Sequence, residues 1–129
     1  MKLIRESVAE TEPILKFSSN EIVADPLKIR SLERLFQLIV DSAVDINIEI
    51  ITAKSINVPD SYQSTFYTLR DIGTLSADFA DEIAPSVGLR NRLVHRYEMI
   101  KPKLSVDEMK KFTPSYVSYL KTINDYISR

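Results

Sequence analysis

From Gly88 to Tyr97 the chain reads Gly-Leu-Arg-Asn-Arg-Leu-Val-His-Arg-Tyr, so its only histidine, His95, sits among Arg90, Arg92 and Arg96. Arginine grips a phosphate through paired N–H donors, and histidine is the side chain that ordinarily exchanges a proton near neutral pH. Together they suit phosphate-ester chemistry, with Arg90 holding the anion, His95 moving a proton and no metal involved. A metal site is a poor fit: there is no second histidine and no cysteine, and the acids lack close ligand spacing to His95. On residue types alone, a charge run is also what a solvated face looks like, and a single helical histidine also serves as a structural residue. Both alternatives stay open.

Helical geometry separates the members of this cluster. At about 100° per residue, and with Arg90 as the origin, Leu93, Val94 and Tyr97 fall within about 60° of it, so Arg90 projects along the apolar stripe. An arginine there must be paired, reach a cleft or meet another subunit, because a guanidinium cannot shed its charge. Asn91 and His95, four residues apart, sit beside the stripe and can reach one edge of a groove. Arg92 and Arg96 point further outward. Tyr97 lies on the stripe, where packing its ring is the plain expectation.

Helices must position these groups. The first stretch spaces Leu3, Ile4, Val8, Ile14 and Leu15 helically, with a kink or break expected at Pro13. Asp25-Pro26 predicts a helix start, since aspartate caps free N–H groups and proline loses nothing at the first position. From Pro26 to Ala53, Leu32, Leu35, Phe36, Ile39, Ala43, Ile46 and Ile50 recur every three or four residues, predicting a spine about 42 Å long. Asp41, Asp45, Asn47 and Glu49 on it read as a solvated face or a partner surface. A shorter helix around Tyr62, Phe66, Tyr67 and Leu69 is expected to close at Gly73. The next opens near Thr74 or Ser76, carries the Arg90–Tyr97 segment, is kinked at Pro85 and ends before Pro102. Ser105-Val106-Asp107-Glu108 fits a capping box for the last helix, which buries Met109, Phe112, Tyr116, Leu120, Ile123 and Ile127, with Pro114 a possible kink point. The reading is all-α, a single helical domain over 1–129 built as an up-and-down bundle of about five helices.

Composition narrows the function. Lacking cysteine, the chain has no thiol nucleophile, disulfide framework or thiolate metal site. Its 2 glycines leave little room for Gly-rich phosphate loops. The net charge of −1 argues against coating nucleic acid by charge alone. The distribution is uneven, however: Arg90, Arg92, Arg96, Lys101 and Lys103 against Glu98 make a local balance of +4 in a body of −5. RNA contact, if made, is local. No apolar run approaches the length of a membrane span, and Met1-Lys2-Leu3-Ile4 leads straight into charged residues, so the expectation is a cytoplasmic protein with no membrane partner.

The string Arg90-Asn91-x3-His95-x-Tyr97 resembles the Arg-x4-His-x-Tyr signature of the HepT-like branch of the HEPN superfamily, ribonuclease toxins of prokaryotic toxin–antitoxin pairs. Glu33-Arg34-Leu35 at the start of the spine, the Ala84-Pro85 approach and the final helix are similar to this family as well. The resemblance implies a homodimer whose motif helices line a shared cleft, and RNA cleavage without metal or other cofactor. In the usual proposal for the family, the 2′-hydroxyl attacks the neighbouring phosphate. By that analogy His95 is the general acid or base, Arg90 binds the scissile phosphate, Asn91 assists by hydrogen bonding, and Arg92 and Arg96 are candidate RNA contacts. It also implies a type VII HEPN/MNT system, in which a cognate minimal nucleotidyltransferase antitoxin inactivates the toxin by AMPylation, with Tyr97 the matching acceptor. The alternative, from another class, is a non-catalytic HEPN subunit that helps a separate nucleotidyltransferase bind its nucleotide or substrate.

Overall fold

The computed structural model describes residues 1–95 and 101–129, and these form an all-α bundle. Seven helices occur among the described residues: α1 (Lys2–Leu15), α2 (Ser19–Ala24), α3 (Pro26–Ala53), α4 (Tyr62–Asp71), α5 (Ala77–Ile83), α6 (Ser86–Val94) and α7 (Pro102–Ile127). No helix among them is long and apolar enough to cross a membrane.

The spine is α3, against which α1, α2, α4, α6 and α7 all pack. It begins where Asp25 accepts from the N–H groups of Leu27 and Lys28, with Pro26 at its first position. Hydrogen bonding to Lys28 holds the Asp25 carboxyl below its ordinary range. The buried face of α3 includes Leu32, Phe36, Ile39, Ala43 and Ile50, as the periodicity predicts, while Leu35 and Ile46 are half-buried. A row of edge-to-face rings crosses the core, Phe36 on Tyr116, Tyr116 on Tyr119 and Tyr119 on Phe66, with centroids 6.0–6.4 Å apart. Each such pair adds about 0.5–1.5 kcal/mol beyond area burial. The row joins α3, α7 and α4.

At four of the prolines the structure departs from these expectations. Pro13 lies in the last turn of α1 and does not break it, and the separate α2 follows through a Ser18 and Glu21 capping box. The kink expected at Pro85 is a full division: proline has no N–H for the i−4 carbonyl, and the chain restarts with i+3 bonds from Val87 to Ala84 and Gly88 to Pro85. Pro102 opens α7, so Ser105 is inside the helix and caps nothing. Its presumed capping partner Glu108 pairs across to Arg92. Pro114 sits within a continuous α7. The expected terminators hold: Gly73, at φ 83°, follows the end of α4, and Ser76 caps α5 through the Phe79 N–H.

Candidate active site

Of the motif residues, Arg90, Asn91, Arg92 and His95 belong to the described chain, and Arg96 and Tyr97 lie outside it. The helix that carries them, α6, is anchored at its start: the Ser86 hydroxyl donates to the Ile83 carbonyl at 2.6 Å and bonds the Tyr116 hydroxyl, also at 2.6 Å. Ser86 is completely buried, and Val87, Leu89 and Leu93 bury the apolar side of the helix. Burial drives the Tyr116 phenol well above its ordinary range. It stays protonated and fixes the first turn of α6.

The puzzle of an arginine on an apolar stripe is resolved within one subunit. Asp41 of α3 accepts from Arg90 Nε at 2.8 Å and from Nη2 at 3.3 Å, a two-point fork that matches guanidinium and carboxylate geometry. Arg90 Nη1 donates to Asn91 Oδ1 at 3.2 Å, and the Tyr62 ring, at the start of α4, lies 5.5 Å from the guanidinium carbon. The Arg90 side chain is 18% exposed, against 34% for Asp41. Among the described residues, three of its five N–H groups are thus engaged. Asn91 Oδ1 faces Arg90, which turns the amide N–H groups of Asn91 away from the guanidinium.

His95 ends α6. Its backbone, at φ −100° and ψ 71°, has left the helical region, while its N–H still bonds the Asn91 carbonyl at 3.1 Å. The uninterrupted helix expected to run through His95 therefore stops at Val94, and Val94, expected on the buried stripe, is 40% exposed. The residue keeps its place one turn beyond Asn91, with its side chain at the surface. Arg92 donates to Glu108 of α7 and is half-exposed. Beside the last turn of α6 a cleft of about 180 Å³ is lined by Glu33, Arg34, Gln37, Leu93 and Val94. Glu33 is buried there, although the periodicity alone gives an acid no reason to be inside.

Two residues at this site were not singled out as such by sequence reasoning. By spacing, Asp41 falls with Asp45, Asn47 and Glu49 on a solvated or partner face, but the four have three different fates. Asp45 and Glu49 are exposed, Asp41 holds Arg90, and Asn47 is completely buried among hydrogen bonds. The available signal was that Asp41 lies between the buried residues Val40 and Ala43, while Arg90 demands a carboxylate. Tyr62 carried no such signal, since only the fold of α4 brings it to Arg90.

The residues around this site match a known family. Over residues 4–123 the chain fits the family described as HepT-like, ribonuclease HepT-like, a stretch containing the whole Arg90–Tyr97 segment. The chain belongs to the HepT-like ribonuclease family. It is 37% identical over 95 residues to the tRNA nuclease HepT of Aphanizomenon flos-aquae, a match covering 74% of this chain and 65% of that relative's length. Among solved structures, the tri-AMPylated HEPN toxin of Shewanella oneidensis, in complex with an MNT antitoxin, superposes with a TM-score of 0.74 at 18% identity, over 97% of this chain and 98% of that one. The cytosolic protein YutE of Bacillus subtilis also gives a TM-score of 0.74 at 18% identity, covering 96% of this chain and 87% of YutE. These structural likenesses show that the chain shares the fold of the HEPN toxin.

Proposed function

We propose that this HepT-like chain is an endoribonuclease toxin that cleaves RNA at a cleft formed by two copies of the chain. The observation that carries this reading is Arg90, held in place by Asp41 and lying five residues before His95 in a family of ribonucleases. In the reaction the 2′-hydroxyl oxygen attacks the adjacent phosphorus, the bond to the 5′-oxygen breaks, and a 2′,3′-cyclic phosphate and a 5′-hydroxyl result. His95 takes the proton from the nucleophile or gives one to the leaving oxygen, and a dimer supplies two such imidazoles. Arg90 and Asn91 donate to the phosphoryl oxygens as charge builds on them. The substrate's own hydroxyl is the nucleophile, so the reading calls for no metal ion. Arg92 and Arg96 contribute positive charge along the RNA path.

The partner in this reading is a minimal nucleotidyltransferase, in keeping with the MNT antitoxin bound to the Shewanella oneidensis toxin. It transfers AMP from ATP to Tyr97: the phenol oxygen attacks the α-phosphorus and pyrophosphate leaves. The added phosphate, two residues from His95, repels RNA by charge and bulk.

Purified protein should cleave tRNA, the substrate named for the Aphanizomenon flos-aquae relative, in the presence of EDTA, leaving cyclic phosphate ends. Arg90→Ala and His95→Ala proteins that keep the helical circular dichroism of the parent should not. Cleavage retained in both variants overturns the site, and an inactive parent that binds nucleotide only together with a nucleotidyltransferase points to a non-catalytic subunit. Incubation with ATP, Mg²⁺ and the active partner should add AMP mass to the wild type and none at position 97 in Tyr97→Phe.

A further inference from the structure

Arg90 is held mainly by a residue outside the motif, Asp41. The carboxylate occupies the Nε and Nη2 side of the guanidinium at 2.8 and 3.3 Å, which fixes both the plane and the rotation of the group. Tyr62 packs near its face, and Asn91 takes one N–H from Nη1. Asp41 itself comes from the middle of α3, the helix whose buried face organises the bundle, so it is an anchor on a rigid element. By contrast, the motif helix is only nine residues long and ends at His95. An arginine side chain has four rotatable bonds, and unclamped it would sample many orientations toward a phosphate. Catalysis depends on holding such donors within a fraction of an ångström.

We propose that Asp41 is a positioning residue for Arg90, setting the direction in which the guanidinium presents its other N–H groups to the scissile phosphate. The inference rests on the ribonuclease reading above for its activity readout, and on geometry alone for the clamp. Asp41 touches no substrate; it acts through Arg90. The pair is partly exposed, and its removal need not unfold the chain.

Two measurements test it. In steady-state cleavage of tRNA, Asp41→Asn should lower kcat by about 10–100-fold with KM changed far less, the pattern of a misaligned rather than absent contact. Arg90→Ala should lower it at least as far, and adding Asp41→Asn to Arg90→Ala should lower it no further. Asp41→Glu should recover part of the loss. Wild-type kcat in Asp41→Asn, a rise in kcat, or independent losses in the double variant would each overturn the proposal, the rise marking Asp41 as a competitor for the phosphate site. In ¹⁵N-resolved spectra at neutral pH, the Arg90 Nε–H should be visible and slow to exchange in the wild type and lost in Asp41→Asn. Retention of that signal in the variant overturns the clamp whatever the activity. Inactive wild-type protein with an Asp41-dependent Nε–H signal refutes the ribonuclease reading and leaves the clamp standing.

Discussion

Tyr119 of α7 donates a hydrogen bond of 2.6 Å to Oδ1 of Asn47 on α3, with both residues buried. From there Asn47 Nδ2 donates to Thr65 Oγ1 at 3.1 Å, and Thr65 donates to the Tyr62 carbonyl at 2.6 Å. A single polar thread therefore runs from the last helix through the spine to the residue whose ring lies against Arg90. Tyr119 also reaches the Ala43 carbonyl at 3.1 Å.

Removing one end of this thread leaves the other buried and short of a partner. Tyr119→Phe is expected to cost about 1–3 kcal/mol, since Asn47 Oδ1 then loses its hydroxyl donor in the core. Asn47→Leu should also destabilise, and the double variant should lose less than the two single losses together, with a coupling of at least about 0.5 kcal/mol. Urea midpoints at constant m-value measure all three. Strict additivity would show that the two side chains do not act together.

Alkaline pH should unfold the protein through its buried phenols. Burial raises both Tyr116 and Tyr119 above the ordinary value of 10.0. Below pH 10 both states keep these protons. Above it the unfolded chain releases them while the folded chain holds them, so stability falls as pH rises, by roughly 1 kcal/mol per tyrosine between pH 10 and 11. Tyr119→Phe should show a shallower fall than the wild type by one tyrosine's share. Equal slopes in chemical denaturation between pH 10 and 11 would contradict the assignment.

The two glycines should respond with opposite signs. Gly73 has a φ of 83° with no atom within 4 Å of an added Cβ, so Gly73→Ala meets no clash but pays about 1 kcal/mol in backbone strain. Gly88 lies inside α6, where a Cβ would meet only Arg92 Nη1 at an ordinary 3.8 Å. Gly88→Ala should therefore stabilise, by about 0.5–1 kcal/mol. Thermal unfolding of the two variants checks both signs.

Arg92 and Glu108 form a half-exposed pair joining α6 to α7. Either partner's removal should change stability by about 1 kcal/mol or less. If Arg92 contacts RNA, Arg92→Ala in the His95→Ala background should weaken tRNA binding and reduce its salt slope by about one, whereas Glu108→Gln should tighten binding. Fluorescence anisotropy at several salt concentrations measures this, and an unchanged slope would remove Arg92 from the RNA path.

Local rules carried the sequence a long way. Asp25-Pro26 and the three-to-four spacing of apolar residues predicted α3 with its observed ends, because an N-cap, a proline at the first position and a buried stripe are written within a few residues of one another. Gly73 and Ser76 were legible for the same reason, and so was the Arg90–His95 motif. The capping box was misplaced because Ser-x-x-Glu at Ser105 satisfies the pattern while Pro102 starts the helix earlier, and both cannot be the N-terminus.

By itself, then, the sequence determined an all-α chain with one basic segment, a lone histidine and a family signature, since all of these depend on residues near one another along the chain. It also determined that Arg90 required a partner. Which partner it found was decided by tertiary structure alone: Asp41 is 49 residues away along the chain, and only the packing of α6 on α3 brings their charges to 2.8 Å. The same packing buried Asn47 while leaving Asp45 and Glu49 in water. A polar residue's fate depends on which helix covers it, and no local spacing encodes that.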